Sequence, residues 1–281
     1  MDICLIMDNP ETPHHPVIGR VLQELGATYT VSLLDVRGLN DAEALQLVQE
    51  KPLATLYLLK SHAPQALAIA RYVEQQGVLV VNSWASSMAC QDRVLMAQRM
   101  REAQLPWPST QHFTSLAHLL AQQSLLATLS FPLIIKSYYS HRGDLVAKID
   151  TLEQLQALGT QWGQEPIILQ EFAESDGWDI KIWVIDQEVF AARRRTPLEA
   201  DAPKEDIPLT ANELPADWLH IALEIGRVFN MHLYGIDLLV TAQGAIIVDV
   251  NGFPGFRGVP GAASALVELV QRLITERQVV A

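Results

Sequence analysis

The sequence predicts an α/β protein that begins with a parallel α/β domain over residues 1–86 and continues into a region of helices and hairpins. The first observation is that short apolar runs alternate with amphipathic stretches up to residue 86, which is typical of a parallel, doubly wound sheet. The second is that LPWPST, at residues 105–110, ends a helical pattern, because its two prolines cannot continue a helix. The third is a hairpin pattern over residues 234–250.

In the first domain, four strands and three helices are predicted, the strands at residues 3–7, 29–34, 54–59 and 78–81 and the helices at 17–25, 41–49 and 65–76. Parallel sheets bind ligands at the carboxyl ends of their strands. Polar residues follow three of these strands: Asp8 and Asn9, then Lys60, Ser61 and His62, then Asn82 and Ser83. No GxGxxG follows the first strand, which argues against a dinucleotide site there.

Beyond residue 86 the sequence predicts one helix over residues 87–103 and a second, mixed region. Strands are expected at residues 131–136, 145–149, 166–172, 178–185 and 189–194. Residues 196–215 contain four prolines and are predicted to form a mobile loop, either lid or spacer, before a helix over 216–230.

The composition excludes several classes of protein. The 281 residues carry 32 Asp and Glu against 20 Lys and Arg, a formal charge of −12, which argues against affinity for nucleic-acid phosphates. Cys4 and Cys90 are the only cysteines, and they suggest neither zinc nor a disulfide framework. The sequence shows no basic leader and no apolar run long enough for a membrane span. We therefore expect a cytoplasmic protein that binds neither nucleic acid nor membrane.

The hairpin pattern near the C-terminus places oxygen ligands together. Residues 236–240 and 245–250 are β-rich, and a three-residue loop over 242–244, with Gly244 left-handed, would put Asp237 opposite Asp249. Asn251 follows two residues later on the same face. Two carboxylates and an amide oxygen suit a hard cation such as Mg²⁺. The alternative is that Asp237 is a solvated strand residue and that Asp249 and Asn251 only cap a turn.

Seven segments in fixed order give the sequence a resemblance to a known superfamily: NSWASSMACQDR, LPWPST, FPLIIK, ILQEF, GWDIKIWVI, GIDLLV and DVNGFPGFRGV. From about residue 82 onward the chain resembles ATP-grasp enzymes, in particular RimK-like glutamate ligases that modify a ribosomal protein. It has a second likeness to inositol tris/tetrakisphosphate kinases. The resemblance implies an ATP-grasp fold, in which the N-terminal domain is followed by two α+β subdomains, 87–172 and 173–281, that clasp ATP.

The resemblance also implies the nucleotide and metal ligands. Residues matching Asp237, Asp249 and Asn251 hold Mg²⁺, or Mn²⁺ in its place, which is the set that the hairpin pattern selects. The match assigns the remaining cofactor-binding positions to Arg93, Lys136, Gln170, Glu171, Phe172, Asp179 and Lys181. Lys136 is expected to contact the α- and β-phosphates, and the backbone of residues 170–172 to face the adenine. Arg93 departs from the family, where relatives carry a lysine.

The catalytic positions implied by the resemblance are Lys136 and Arg195. Arg195 matches an arginine beside the transferred phosphoryl group, and Arg193 shares its face of the strand. Asp179 matches a carboxylate near the ribose and phosphates, and Lys181 a cationic position on the substrate side. The loop after Lys136, SYYSHRGD, matches a mobile loop over the triphosphate, to which His141 or Arg142 would add charge.

The resemblance favours an ATP- and Mg²⁺-dependent carboxylate–amine ligase that works through an acyl phosphate. Its partners would be ATP, a small-molecule or peptide carboxylate and an amine, and a homo-oligomer is compatible with it. One alternative is a small-molecule kinase, which DVNGFPGFRGV and the pair Lys60 and His62 suggest. A kinase for polyanions would need a dense cationic pocket, yet candidate cations are scattered: His14, His15, Lys60, Lys181, Arg195 and Arg257. The other alternative is a nucleotide-binding regulatory protein without catalysis.

Overall fold

The computed structural model describes residues 1–140, 143–175, 177–195, 207–210 and 213–280. Within these ranges the chain forms one parallel and two antiparallel sheets with helices packed against them, so the predicted mixed α/β class is confirmed. Among the helices in these ranges, none is long and apolar enough to cross a membrane.

The first sheet is parallel, as predicted, with strand order β2-β1-β3-β4. Its strands are β1 (Asp2–Met7), β2 (Thr30–Asp35), β3 (Leu56–Lys60) and β4 (Leu79–Val81). A 3₁₀ turn (Thr12–His14) precedes α1 (Pro16–Gly26), and α2 (Asp41–Gln49) and α3 (Pro64–Gln75) alternate with the later strands. α2 begins with a capping box in which Asn40 and Glu43 satisfy each other's backbone amides. Both faces of the sheet are buried, which explains its continuous apolar strands.

The predicted helix over residues 87–103 is in fact two helices, so the prediction of one continuous helix is wrong. They are α4 (Trp84–Ala89) and α5 (Arg93–Glu102). The break occurs because the Asp92 carboxylate accepts hydrogen bonds from Val94 N at 3.0 Å and Leu95 N at 2.8 Å. Aspartate satisfies unpaired amides at a helix start better than it fits a helix interior. Arg93 therefore occupies the first position of α5.

The second sheet is antiparallel, with order β5-β8-β6-β7. Its strands are β5 (Thr110–Phe113), β6 (Leu133–Ser137), β7 (Val146–Ile149) and β8 (Ile167–Glu171). β5 follows the two prolines directly and was not predicted. Three helices pack beside this sheet: α6 (Leu116–Leu120), α7 (Gln123–Leu126) and α8 (Leu152–Trp162).

The third sheet is antiparallel, with order β11-β10-β9-β12-β13. Its strands are β9 (Trp178–Ile185), β10 (Glu188–Arg195), β11 (Ile207–Leu209), β12 (Leu233–Thr241) and β13 (Gly244–Gly252). Two further helices belong to this part of the chain: α9 (Ala216–Phe229), between β11 and β12, and α10 (Ala262–Val280), after β13. One face packs against α5 and α9 around Ile180, Ile182 and Ile236. The other face turns towards the first domain and the second sheet.

The predicted loop over residues 196–215 is partly a strand. Residues 196–206 and 211–212 lie outside the described residues, but β11 pairs with β10 through Ala191 and Leu209, Ala192 and Pro208, and Arg193 and Ile207. The prediction of an unbroken loop is therefore wrong. Proline is compatible with this strand because β11 is at the edge of the sheet, where a missing amide donor costs little.

Candidate nucleotide and metal site

The β12–β13 hairpin brings Asp237 opposite Asp249, as predicted, but through a different loop. Thr241 pairs with Gly244, so the loop has two residues rather than the predicted three, and Gly244 has φ +117° rather than a left-handed helical value. Such a loop alone would pair Asp237 with Val248. A β-bulge between Asp237 and Leu238 leaves Val248 without a partner and restores the pairing of the two carboxylates.

The two carboxylates lie among groups that order them. Lys181 on β9 pairs with Asp237 in the register and forms a salt bridge with its Oδ1. Asn251 Nδ2 donates to Asp249 Oδ2 at 3.2 Å, which leaves the Asn251 carbonyl oxygen available to a ligand. In the described part of the chain no three His, Cys, Asp or Glu residues cluster as a metal site, so any cation here depends on the amide oxygen. The donor set, all oxygen with two negative charges, fits Mg²⁺.

Lys136 reaches this hairpin from the second sheet. It lies on β6, is 7% exposed, and its Nζ donates to the backbone oxygen of Val248 at 2.7 Å. Burial lowers the pKa of Lys136, and the nearby carboxylate of Asp249 partly offsets that effect. Val248, which the bulge leaves unpaired between β12 and β13, thus holds Lys136 in place through its backbone oxygen.

Arg93 occupies the start of α5 and is 4% exposed. Its Nη1 donates to Ser137 O at 2.8 Å and forms a salt bridge with Asp144 Oδ2 at 2.7 Å. Its buried Nε has no hydrogen-bond partner within the described ranges. Arg93 therefore links Ser137 and Asp144, the two ends of the loop after β6. Its Nε remains available to donate to an anion. His141 and Arg142 of that loop lie outside the described residues.

A cavity of about 180 Å³ lies between the second and third sheets, and we call it the inter-sheet cavity. Residues from both sheets and from α5 line it: Arg93, Lys136, Gln170, Phe172, Asp237 and Asp249. Gln170 is 2% exposed and its Nε2 donates to Thr110 Oγ1 at 3.0 Å. β8 ends at Glu171, so the backbone of residues 172–173 is outside the ladder, and Lys148 Nζ lies 4.6 Å from the Phe172 ring centroid.

The arginines of β10 divide between the two faces of the third sheet. Arg195 pairs with Trp178, and the guanidinium groups of Arg193 and Arg195 lie 4.4 and 4.1 Å from the Trp178 ring centroid. Arg194 pairs with Asp179, which has the same strand parity as Lys181. The register therefore places Arg194 on the face of the carboxylates and Arg195 on the other face, outside the residues that line the inter-sheet cavity. Sequence reasoning passed over Arg194, because the face that it occupies follows from the register between β9 and β10.

A second cavity, of about 520 Å³, lies where the first domain meets the end of β13, and we call it the Asn251 pocket. Asp8, Lys60 and His62, from the carboxyl ends of parallel strands, line it together with Asn251. Lys60 Nζ donates to Phe253 O at 2.6 Å, and His62 Nε2 lies 3.3 Å from Gly252 O. Burial lowers the pKa of Lys60 to about 8 and also lowers the pKa of His62.

Asn82 and Cys90 occupy structural positions rather than positions in either cavity. Asn82 is 1% exposed; its Nδ2 donates to Leu233 O at 2.6 Å and its Oδ1 accepts from the amides of His232 and Leu233, each at 3.0 Å. It joins β4 to the start of β12 rather than lining either cavity. Cys90 is buried, and burial raises its pKa to about 12, which makes it a poor nucleophile.

The chain is similar in sequence and in fold to known ATP-grasp proteins. Residues 90–274 match the model of the RimK-like ATP-grasp domain. The chain is 26% identical over 210 residues to a "Probable alpha-L-glutamate ligase 2" of Hahella chejuensis, which covers 70% of this chain and 66% of that protein. It is 25% identical to "Inositol-tetrakisphosphate 1-kinase 5" of Oryza sativa, over 65% of each chain. The crystal structure of a RimK domain ATP-grasp protein from Sphaerobacter thermophilus superposes with a TM-score of 0.75 at 17% identity, covering 96% of this chain and 99% of that one.

The chain belongs to the RimK-like ATP-grasp family. Its fold is that of ATP-grasp ligases, and ATP is its nucleotide. By class it is an ATP-dependent carboxylate–amine ligase.

Proposed function

We propose that this ligase binds Mg²⁺-ATP between its second and third sheets and forms an amide bond through an acyl phosphate. The observation that carries the proposal is the lining of the inter-sheet cavity. Two buried cations, Lys136 and Arg93, come from one side and two carboxylates, Asp237 and Asp249, from the other. A cavity of about 180 Å³ is smaller than most whole-ligand sites, so we assign it to the part of ATP from the base to the phosphates beside Lys136, with the γ-phosphate extending towards Asn251.

Different residues of the inter-sheet cavity would bind different parts of Mg²⁺-ATP. The apolar lining and the free backbone after β8 suit a purine, which Gln170, Glu171 and Phe172 would border. Lys136 would exchange the Val248 carbonyl for phosphate oxygens, and Arg93 would direct its unpaired Nε to the same charge. Asp237, Asp249 and Asn251 would hold Mg²⁺ or Mn²⁺, which when bound neutralises charge on the phosphates.

The reaction would need no enzyme nucleophile. A carboxylate oxygen of the substrate attacks the γ-phosphorus, the bond to the β-phosphate oxygen breaks, and ADP leaves. The amine nitrogen then attacks the acyl carbon, inorganic phosphate leaves with the carboxylate oxygen, and the nitrogen loses a proton. Positioning and charge stabilisation supply most of the catalysis in phosphoryl transfer. Lys181 would lie beside the metal ligand Asp237, and Asp179 and Arg194 would extend the charged face.

The Asn251 pocket would hold the reacting carboxylate. It opens beside the candidate metal ligand Asn251 and carries the cation Lys60 together with His62, whose pKa burial lowers. Arg195, which the family match assigns to the transferred phosphoryl group, would have to leave Trp178 to reach it. We keep Arg195 as a proposed catalytic residue and add Arg194 as the arginine that the register favours.

An isotope experiment tests this function. Candidate substrates carry ¹⁸O in the carboxylate, and the phosphate released from ATP is examined by mass spectrometry. Transfer of one ¹⁸O to phosphate is expected, because the carboxylate oxygen leaves with it. A stable phosphorylated product without ¹⁸O in the released phosphate would instead indicate a kinase, in line with the likeness to the inositol phosphate kinase.

A further inference from the structure

Asp144 places a negative charge next to two residues that we assign to the phosphates of ATP. Its Oδ2 lies 2.7 Å from Arg93 Nη1, and only 5% of the Arg93 side chain and 15% of the Asp144 side chain are exposed. Burial lowers the pKa of Lys136, and Asp144 is among the carboxylates that oppose this effect, so its charge also reaches the lysine. A carboxylate in this position repels phosphate. Its place beside the site therefore calls for a compensating effect.

Backbone hydrogen bonds hold Arg93 and Asp144 close together. Ser137 N donates to Leu145 O, and Leu145 N donates to Ser137 Oγ, each at 2.9 Å, so the residue after Asp144 is fixed to the end of β6. Arg93 N donates to Tyr138 O at 3.1 Å, which attaches the start of α5 to the same strand end. The orientation of the Arg93 guanidinium then depends on the contacts of its side chain.

An arginine at this position needs to be oriented in a way that a lysine does not. An ammonium on a flexible chain acts as a point charge, whereas a guanidinium is planar and donates only within its plane. Arg93 Nη1 donates to Ser137 O at 2.8 Å and pairs with Asp144, while the buried Nε has no hydrogen-bond partner within the described ranges. Because Nη1 is engaged, the edge of the guanidinium that carries Nε is the one left for an anion.

We propose that Asp144 is a positioning residue, which holds the Arg93 guanidinium so that the edge carrying Nε faces the phosphates of bound ATP. The gain from an oriented, charge-assisted donor outweighs the repulsion between Asp144 and the phosphates. Asp144 thereby makes an arginine effective at the start of α5, where relatives carry a lysine. This inference rests on the proposed nucleotide site, and it holds whether the enzyme ligates or phosphorylates its substrate.

The two effects of Asp144 can be separated, because only one of them requires an arginine. In the wild-type protein the carboxylate orients the guanidinium and also repels phosphate. After Arg93→Lys there is no planar group to orient, so only the repulsion and the competition for the ammonium remain. Asp144→Asn should therefore weaken nucleotide binding in the wild-type background and strengthen it in the Arg93→Lys background.

Calorimetric titration with Mg²⁺ and a non-hydrolysable ATP analogue tests this reversal in wild type, Asp144→Asn, Arg93→Lys and the double variant. Asp144→Asn should raise the dissociation constant of the analogue about tenfold in the wild-type background. In the Arg93→Lys background the same change should lower it about threefold. Adenosine, titrated as a competitor of the analogue, should bind all four proteins equally, because it has no phosphate for Arg93 to contact.

Asp35→Asn provides a matched control. Asp35 pairs with Arg37 Nη2 at 2.6 Å, and neither residue lines the inter-sheet cavity. Its replacement should leave the dissociation constants of the analogue and of adenosine unchanged in both backgrounds. The melting temperature Tm is measured for every variant, because Asp144→Asn removes the charged partner of a buried arginine and should lower Tm. Titrations are therefore run well below the lowest Tm.

The outcomes distinguish the role of Asp144 from the nucleotide site itself. If wild type binds the analogue and Asp144→Asn leaves its dissociation constant unchanged or lowers it, the positioning role is overturned and the site stands. An equal rise in both backgrounds, or an equal loss of affinity for adenosine, would indicate a structural role and would also overturn it. If Asp144→Asn alone does not fold, the double variant decides by comparison with Arg93→Lys: tighter binding supports the inference, and equal or weaker binding overturns it. A wild-type protein that does not bind the analogue would refute the proposed site together with this inference.

Discussion

Replacing Lys136 by methionine should weaken ATP binding while leaving the fold nearly as stable as before. Methionine keeps nearly the length of the side chain but removes the ammonium. Lys136 is 7% exposed, and its Nζ donates to Val248 O at 2.7 Å. In the bound state we assign this ammonium to the phosphates. The variant therefore separates nucleotide binding from structural support.

The expected sizes follow from these contacts. A hydrogen bond to a charged group contributes about 1.5–3 kcal/mol, so its loss should raise the dissociation constant of ATP roughly 10- to 100-fold. The Val248 carbonyl loses its partner, which is destabilising, but a buried charge whose pKa burial lowers is removed as well. Since these two effects oppose each other, Tm should change by less than about 4 °C.

Calorimetric titration with Mg²⁺ and a non-hydrolysable ATP analogue measures the dissociation constant, and thermal unfolding without nucleotide measures Tm. The exposed Lys51 provides a control, because Lys51→Met removes the same group far from the cavity and should alter neither quantity. A dissociation constant within threefold of wild type, together with a large fall in Tm, would refute the assignment and make Lys136 a structural residue.

Three further predictions concern the metal site and the Asn251 pocket. Asp249→Ala should abolish Mg²⁺-ATP turnover with an unchanged circular dichroism spectrum, and near-normal turnover would remove Asp249 from the metal site. Lys181→Met should lower the Mg²⁺ concentration that gives half-maximal activity, because the Lys181 ammonium no longer competes with Mg²⁺ for Asp237. A higher Mg²⁺ concentration for half-maximal activity would contradict this role of Lys181. Burial lowers the pKa of Lys60 from 10.5 to about 8, so the unfolded chain binds more protons between these values and the fold gains stability as pH rises through that window. The Tm of Lys60→Met minus that of wild type should therefore fall from about pH 7 to about pH 10, whereas a constant difference would mean that Lys60 keeps its ordinary pKa.

The hairpin shows how far the sequence could predict the site. The sequence paired Asp237 with Asp249 through a three-residue loop, whose one extra residue has the same effect on the register as the bulge that the structure contains. The two-residue loop and the bulge at Val248 were not predicted, because residues 245–248 are a continuous apolar run in which no alternation can be seen to break. The contact between Lys136 and Val248 joins residues 112 positions apart, and such a contact depends on how the sheets pack.

The break between α4 and α5 was predictable in principle. Asp92 stands before a run of good helix formers, and aspartate is a strong signal for a helix start. The apolar residues around it continued the helical period and obscured that signal. By contrast, the face of Arg195 depended on the register of β9 and β10, which the sequence of either strand alone does not determine.

The C-terminal helix α10 has a consequence for how the protein folds during synthesis. Its side chains Leu266, Val270 and Leu273 pack in one cluster with Ile3 and Leu5 of β1, so the last helix covers a face of the first sheet. The N-terminal helix α1 packs in the same cluster, so this face is only partly covered until residues 262–280 have left the ribosome. The first domain should therefore complete its packing only after α10 has been synthesised.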